Sequence, residues 1–305
     1  MMLDSVIIGA GPAGITAAVY AKRYNLHFEI IDKELITGGK VNYPHWIENF
    51  IGFPEGIKGS SLAEVFQKHL QILNISSIQA KCENIASTQE GFEVKLSKGP
   101  SLLTKTVLVA SGTVERRIGI PGEEQYMGKG VSTCATCDAP FFKGKTIAVI
   151  GGGDSALSET LYLAEFASKI ILIHRRNEFR GAPSLISAIE GNSAITVYKG
   201  AIPLSIQGED FVKSLTIQHL DNQQQEELQV NGVFIFSGYE PKTDFIHFPI
   251  DLDEQGFIKT DENMMTSHSG LFAAGDIRSK SLRQIVTATS DGAVAIHQIR
   301  NRLYA

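Results

Sequence analysis

Two cysteines stand three positions apart in Cys134-Ala135-Thr136-Cys137. At that spacing two thiols can cycle through a disulfide, supply half of a zinc site or form a fixed structural bridge. Zinc needs more ligands than the pair provides, the only other thiol is Cys82 in a polar stretch, and no histidine-rich segment lies beside the pair. No metal is therefore expected, Cys82 reads as a bystander, and a static bridge is disfavoured in a reducing compartment. Redox exchange fits best. Asp138 directly follows Cys137, where a carboxylic acid can hand a proton to a leaving thiolate or, equally, cap a helix.

The second chemical signal occurs twice. Ser5-Val6-Ile7-Ile8 leads into Gly9-Ala10-Gly11-Pro12-Ala13-Gly14 and then a helical stretch, Ile15 to Tyr24. Thr146 to Ile150 leads into Gly151-Gly152-Gly153-Asp154-Ser155-Ala156 and a second helical run, Leu157 to Phe166. Strand, glycine turn and helix in that order form a cradle for a dinucleotide pyrophosphate, because the small residues let the backbone approach and the helix N-terminus offers free N–H groups. One copy alone could be an ordinary tight turn; two with matching context point to two nucleotide sites.

What each site recognises is set at the end of its next strand, which faces the adenosine ribose. Asp32 and His174 both stand 23 positions after the first glycine of their motif. Asp32 can accept hydrogen bonds from ribose hydroxyls and would repel a 2′-phosphate. His174-Arg175-Arg176, with Arg180 four residues on, offers guanidinium forks suited to a 2′-phosphate, so this second site is expected to bind NADPH. NADPH delivers hydride, whereas a disulfide is reduced through thiolates, so a mediator is needed. A flavin supplies it, and FAD carries the unphosphorylated adenosine that Asp32 suits.

Positioning these groups requires a chain long enough for two cores. The 305 residues, 43% apolar, suggest two domains at about 150 residues each. A net charge of −5 gives no electrostatic reason to expect nucleic acid or an anionic membrane. Met1-Met2-Leu3-Asp4 runs straight into the first apolar strand with neither a basic leader nor a membrane-length run, so a soluble, unprocessed, cytoplasmic protein is expected. Phe92 to Leu96 and Leu215 to His219 read as hairpin strands. Ser61-x-x-Glu64 reads as a capping box opening an amphipathic helix with Leu62, Val65, Phe66 and Leu73 on its apolar side.

Together with Gly38-Gly39, Glu48-Asn49, Phe179-Arg180 and Gly270 to Asp276, these motifs stand in the order found in the bacterial-type, low-molecular-weight thioredoxin reductases, which the chain resembles from about Ser5 to Ala295. The resemblance implies an α/β fold of two Rossmann-like three-layer dinucleotide-binding domains, with the NADPH domain (113–242) inserted into the FAD domain (1–112 and 243–305). It implies a homodimer that reduces thioredoxin or a thioredoxin-like protein. By the same resemblance Cys137 is the sulfur next to the flavin, Cys134 attacks the substrate disulfide, and Asp138 donates the proton. Gly9, Gly11, Pro12, Ala13, Gly14, Asp32, Lys40, Asn49 and Gly112 are implied on the FAD side, with Gly275, Asp276, Arg283, Gln284 and Ile285. Gly151, Gly153, Asp154, Ser155, Ala156, His174, Arg175, Arg176 and Arg180 are implied on the NADPH side. Glycine-containing segments at Val109 to Thr113 and Ser237 to Pro241 are implied hinges for a swivelling NADPH domain.

The chain departs from the family at Lys40 (usually glutamine), Ser111 (threonine), Ala139 (glycine), Ser158 (glutamate) and Lys242 (asparagine). None removes a reacting group. Lys40 adds a charge near the expected flavin, and Tyr43-Pro44-His45-Trp46 reads either as cover for a cofactor ring or as loop packing. Three rivals remain: an NADPH-flavin reductase serving ferredoxin or oxygen, against which the cysteine pair argues; a dithiol oxidase, against which His174-Arg175-Arg176 argues; and a flavin-bound redox sensor.

Overall fold

The computed structural model describes residues 2–44 and 46–304, and the chain divides into two compact units. The first is Met1–Val114 with Glu240–Ala305, and the second is Glu115–Tyr239. The second unit is therefore continuous in sequence and interrupts the first. The connecting segments Thr113–Glu115 and Tyr239–Pro241 pair with each other as a two-stranded sheet.

In the first unit, strands Ser77–Gln79, Phe28–Asp32, Leu3–Ile8 and Leu102–Val109 pair in parallel, in that order. Val6, Ile7, Ile30, Ile31, Val107, Leu108 and Val109 are all buried, as continuous apolar runs with both faces covered must be. The long strand Leu102–Val109 splits the sheet. Its first half pairs antiparallel with Phe92–Leu96, which alternates buried and exposed residues, while its second half carries Leu271–Ala273 in parallel. That short strand brings the 275–276 turn to the same sheet end as the first glycine turn.

Helix Pro12–Arg23 packs on the C-terminal helix Ile285–Tyr304 through small residues, Ala13, Ala17 and Ala21 facing Ala288, Ala295 and Ile299 in one core. The approach is close enough that a Cβ on Gly292 would lie 2.1 Å from the Ala13 carbonyl oxygen. A further helix, Gly59–Ile72, starts three residues earlier than the Ser61–Glu64 pair predicts, with Lys58 rather than Ser61 at its N-cap, and no side chain caps it. Its start is set instead by docking: the Gly59 N–H donates to the Pro44 carbonyl, and a Cβ there would strike the Val41 and Pro44 oxygens. Val65 is also exposed rather than on the apolar side. At about 100° per residue the buried face, Leu62, Ala63, Phe66 and Leu70, centres away from it.

The second unit has three layers. Ile195–Lys199, Lys169–His174, Thr146–Ile150, Gly232–Ile235 and Val131–Ser132 form a parallel sheet in that order. Helices Asp154–Leu163 and Pro183–Glu190 cover one face, sharing a core with Ile147, Val149 and Leu172. An antiparallel sheet of Ala201–Gly208, Val212–His219 and Gln225–Gln229 covers the other, with Ile206, Leu215 and Ile217 packed on Ala148, Ile171 and Val233. The fold is α/β, with a Rossmann-like parallel sheet in each unit.

Candidate active site

In the first unit the glycine turn is built by its own packing. A Cβ on Gly14 would lie 1.8 Å from the Gly9 carbonyl oxygen, so only glycine lets helix Pro12–Arg23 start there. Nothing lies within 4 Å of the corresponding position on Gly11, the helix N-cap, and no side chain caps the helix. Pro12 has no N–H, so the free first-turn donors are those of Ala13 and Gly14, and they border an open cradle for an anion. Asp32, at the end of its strand, braces this turn: one carboxylate oxygen accepts from the Ala10 N–H and the other from Glu34 N–H at 2.8 Å. Remaining lone pairs on those oxygens can serve a ribose.

Two other segments pack on the turn. Gly38 N–H donates to the Ala10 carbonyl at 2.8 Å, and a Cβ on Gly39 would come within 3.2 Å of Gly11. This places the turn Gly39–Asn42 along the cradle, with Lys40 Nζ donating to Thr113 Oγ1 at 3.0 Å. Gly275, at φ +79°, abuts Ala13 and directs the chain into Asp276, whose Oδ1 is buried with no hydrogen-bond partner. Burial pushes the Asp276 carboxyl up, opposed by the charges of Lys280, Lys40 and Arg283. Arg283 stacks 3.7 Å over the Phe257 ring and donates to the Asp276 carbonyl, and Asn49 Nδ2 donates to Gln284 Oε1 at 3.1 Å. Ile285 opens the C-terminal helix, and Gly112, at φ +66°, faces open space.

Trp46 lies across Gly56, where a Cβ would meet the indole nitrogen at 2.3 Å, so this part of the Tyr43–Trp46 stretch packs against its own loop. His45 lies outside the described residues.

The second unit repeats the cradle with opposite electrostatics. Gly151 packs directly on Ala156, while the space over Gly153, the N-cap of helix Asp154–Leu163, is open. Ser155 is exposed on the first turn, and Asp154 Oδ1 accepts from Ala182 N–H at 2.7 Å. His174 occupies the place of Asp32, and its ring is buried beneath Gly152, stacked on Phe179, with Nε2 against the Glu178 carbonyl at 3.0 Å. Burial lowers its pKa, so it is a neutral brace at pH 7 and the positive charge belongs to the arginines. Arg180 N–H donates to the Gly152 carbonyl, pinning their loop to the turn. Arg175 and Arg180 are exposed, Arg176 is half-buried, and among the described residues no carboxylate pairs with any of them. Three guanidiniums without a carboxylate partner beside an open glycine turn make a setting suited to an anion.

The cysteine pair belongs to this same unit. Strand Val131–Ser132 ends at Ser132, whose hydroxyl accepts from Cys134 N–H at 3.0 Å and thereby fixes the entry to the short helix Ala135–Asp138. Cys134 is that helix's N-cap, its sulfur accepting from Cys137 N–H at 3.3 Å, and the two cysteines form a disulfide across a Cα separation of 5.4 Å. Cys134 is half-buried and Cys137 exposed. Ala135 and Ala139 are buried in one core with Leu157 of the glycine-turn helix, so the dithiol and the arginine-bearing cradle share a rigid support, and Ala139 spends its extra methyl on packing. Asp138 ends the helix half-buried, and its side chain makes no capping bond to the turn Ala139–Phe142 that follows. The capping alternative for this acid is not realised. Cys82 is buried, with its thiol pushed up to about 12 by desolvation, which leaves it unreactive at neutral pH.

The chain matches the pyridine nucleotide-disulphide oxidoreductase family over residues 3–292. It belongs to this family. Among its relatives is a thioredoxin reductase of Peptoclostridium acidaminophilum, 38% identical over 303 residues that span 97% of this chain and 95% of the relative. Another is a thioredoxin reductase of Mycoplasma genitalium, 36% identical over 302 residues, with 99% and 95% covered. The crystal structure of Lactococcus lactis thioredoxin reductase superimposes with a TM-score of 0.95 at 34% identity, covering 99% of both chains.

Two groups escape sequence reasoning. Asp291 sits on the buried face of the C-terminal helix, in register with Ala288 and Ala295, and the spacing of an acid within that apolar stripe was the available signal. Glu159, in helix Asp154–Leu163, has a buried Oε2 without a partner, and burial pushes its carboxyl up to about 7. The folded state thus keeps a proton that the unfolded chain loses near pH 4.5, so stability falls as pH rises from about 4.5 through about 7 and stays lower above. The penalty is on the order of 3 kcal/mol. Glu159→Gln is expected to melt higher than the parent at about pH 8 and alike near pH 4.5, as measured by calorimetry. An equal gain at both pH values would show that ionisation is not the cause.

Proposed function

We propose that this chain is an NADPH-dependent thioredoxin-disulfide reductase that holds FAD in its first unit and NADPH in its second. One observation carries the reading: a redox-ready cysteine pair shares a core with an arginine-bearing nucleotide cradle, in a chain with a second cradle braced by an acid. The residues present fit both cofactors. An open cradle borders Gly11, a buried Asp276 oxygen lacks a partner that a ribityl hydroxyl would provide, and three unpaired arginines await a 2′-phosphate. The names of the relatives support thioredoxin as the protein acceptor. We take the working form to be a cytoplasmic homodimer; no helix among the described residues is long and apolar enough to cross a membrane.

The chemistry a bound flavin supplies is the conversion of a hydride, two electrons at once, into electron transfer to sulfur. The protein's own residues do the rest. Those two electrons break the Cys134–Cys137 bond and leave two sulfurs, and we take Asp138, the residue after Cys137, as the proton donor to the departing one. The Cys134 thiolate then attacks one sulfur of thioredoxin's disulfide, forming a mixed disulfide and releasing a thiol. Cys137 attacks Cys134 and frees the second thiol. In sum, NADPH, one proton and a protein disulfide become NADP⁺ and two thiols.

The purified protein is expected to be yellow, to release FAD on acid treatment, and to sustain catalytic turnover of NADPH, beyond the equivalents that reduce its own flavin and disulfide, only when oxidised thioredoxin is present. Release of FMN alone, or NADPH consumption indifferent to the disulfide, would overturn the assignment. Asp276→Ala is expected to weaken FAD binding by about tenfold to a hundredfold, the value of a hydrogen bond to a charged buried group, while the FAD-free protein melts no lower because an orphaned carboxyl has been removed. Unchanged FAD affinity in that variant would remove Asp276 from the site.

A further inference from the structure

The turn that carries Asp276 does not hold itself. Gly275 is in the left-handed region at φ +79°, and its N–H donates not to a backbone carbonyl but to Asp291 Oδ2, 16 residues on, at 3.0 Å. That same oxygen accepts from Lys280 Nζ at 2.9 Å, and the other oxygen of Asp291 accepts from Arg278 Nη1 at 2.9 Å. All three side chains are about nine-tenths buried. Arg278 is fixed further by Thr260 Oγ1 at 2.9 Å and Lys280 by Thr287 Oγ1 at 3.3 Å. The next residue, Gly292, is the one pressed onto the Ala13 carbonyl of the first cradle. A single carboxylate therefore ties the Asp276 turn, the following loop and the C-terminal helix together at the point where that helix meets the glycine turn.

A buried carboxylate between two cations is an expensive way to add stability, since apolar residues of similar volume commonly do as well. What apolar residues cannot do is accept the Gly275 N–H. We infer that Asp291, clamped by Arg278 and Lys280, is the positioning residue of the flavin site, fixing the Gly275–Asp276 turn so that the Asp276 carboxylate is preset for the ribityl chain. The inference rests on the FAD reading above. Asp291 itself touches no cofactor: its two oxygens are spent on Gly275, Lys280 and Arg278.

Two variants separate positioning from bulk stability. In Asp291→Leu with Arg278→Met and Lys280→Met, the charges leave together and apolar volume replaces them; the desolvation cost removed with the charges offsets the Gly275 N–H left without an acceptor, so the FAD-free protein should melt close to the parent. FAD affinity, titrated into stripped protein by quenching of flavin fluorescence, should fall about tenfold to a hundredfold, as for other residues that orient a binding group from behind. NADPH affinity, a property of the second unit, should stay unchanged. In Asp291→Asn an amide oxygen can still accept from Gly275 while the cations lose their counter-charge, so the FAD-free melting temperature should drop and FAD affinity should stay nearer to the parent's than the triple variant's. A triple variant that binds FAD as the parent does would overturn the inference and leave the flavin reading intact. A parent that binds no FAD would overturn both.

Discussion

Serine in place of either Cys134 or Cys137 is expected to abolish thioredoxin reduction while leaving hydride transfer from NADPH to the flavin intact. The two sulfurs are joined across a Cα separation of 5.4 Å on a helix that shares its core with the arginine-bearing cradle, and no third thiol can stand in, since Cys82 is buried with a raised pKa. With only one sulfur left, either the mixed disulfide never forms or it is never resolved, so turnover should fall by several orders of magnitude. Hydride transfer requires neither sulfur. Stopped-flow absorbance should therefore show flavin bleaching at a near-normal rate in both variants. A single variant that reduced thioredoxin at close to the parent's rate would remove the dithiol relay and favour a direct flavin reductase.

The second large effect concerns cofactor choice. Arg175→Ala with Arg176→Ala should raise the Michaelis constant for NADPH by roughly two to four orders of magnitude, taking about 1.5–3 kcal/mol for each charge-assisted hydrogen bond lost. NADH has no 2′-phosphate, and its constant should change by no more than about threefold. The prediction is sharp because the arginines have no carboxylate partners among the described residues whose loss could confuse the result, and because the brace at His174 is left in place. Equal efficiency of the parent with NADH and NADPH would contradict it.

How much of this was legible in the sequence depended on whether the signal was local. Ser5 to Ile8 and Thr146 to Ile150 are apolar runs ending in glycines at fixed spacing, and each does form a buried parallel strand followed by a turn and a helix. The helices begin earlier than their apolar residues suggest, at Pro12 and Asp154, because the glycine N-caps rather than the first periodic residue set the start. Leu215 to His219 was visible as a hairpin strand, and it does pair with the strands next to it in sequence, but the place of that layer over the second sheet was not, since Ile206, Leu215 and Ile217 meet Ala148, Ile171 and Val233 only in the tertiary fold.

Other features were hidden for physical reasons of their own. Ser61 and Glu64 carry the letters of a capping box, yet tertiary docking of Gly59 against Pro44 moved the helix start. The four-residue helix Ala135–Asp138 is too short to show a period. His174 has a charged residue's appearance and a buried neutral ring's role, a distinction only packing against Gly152 and Phe179 could make. Asp291 draws its meaning from cations at positions 278 and 280 and from the Gly275 N–H, none of which is a helical neighbour.

The central claim is that electrons pass from NADPH through FAD to the Cys134–Cys137 pair and out to a protein disulfide. Anaerobic titration of the purified protein with NADPH, followed by absorbance and a thiol count, tests it most directly. A flavin and a disulfide each take two electrons, so full reduction should require about two equivalents of NADPH per chain, and expose two new thiols, with about one equivalent sufficing in Cys134→Ser. Adding oxidised thioredoxin should then restore the oxidised flavin spectrum without oxygen. Reduction complete at one equivalent in the parent, with no new thiols and no recovery on adding thioredoxin, would contradict the account.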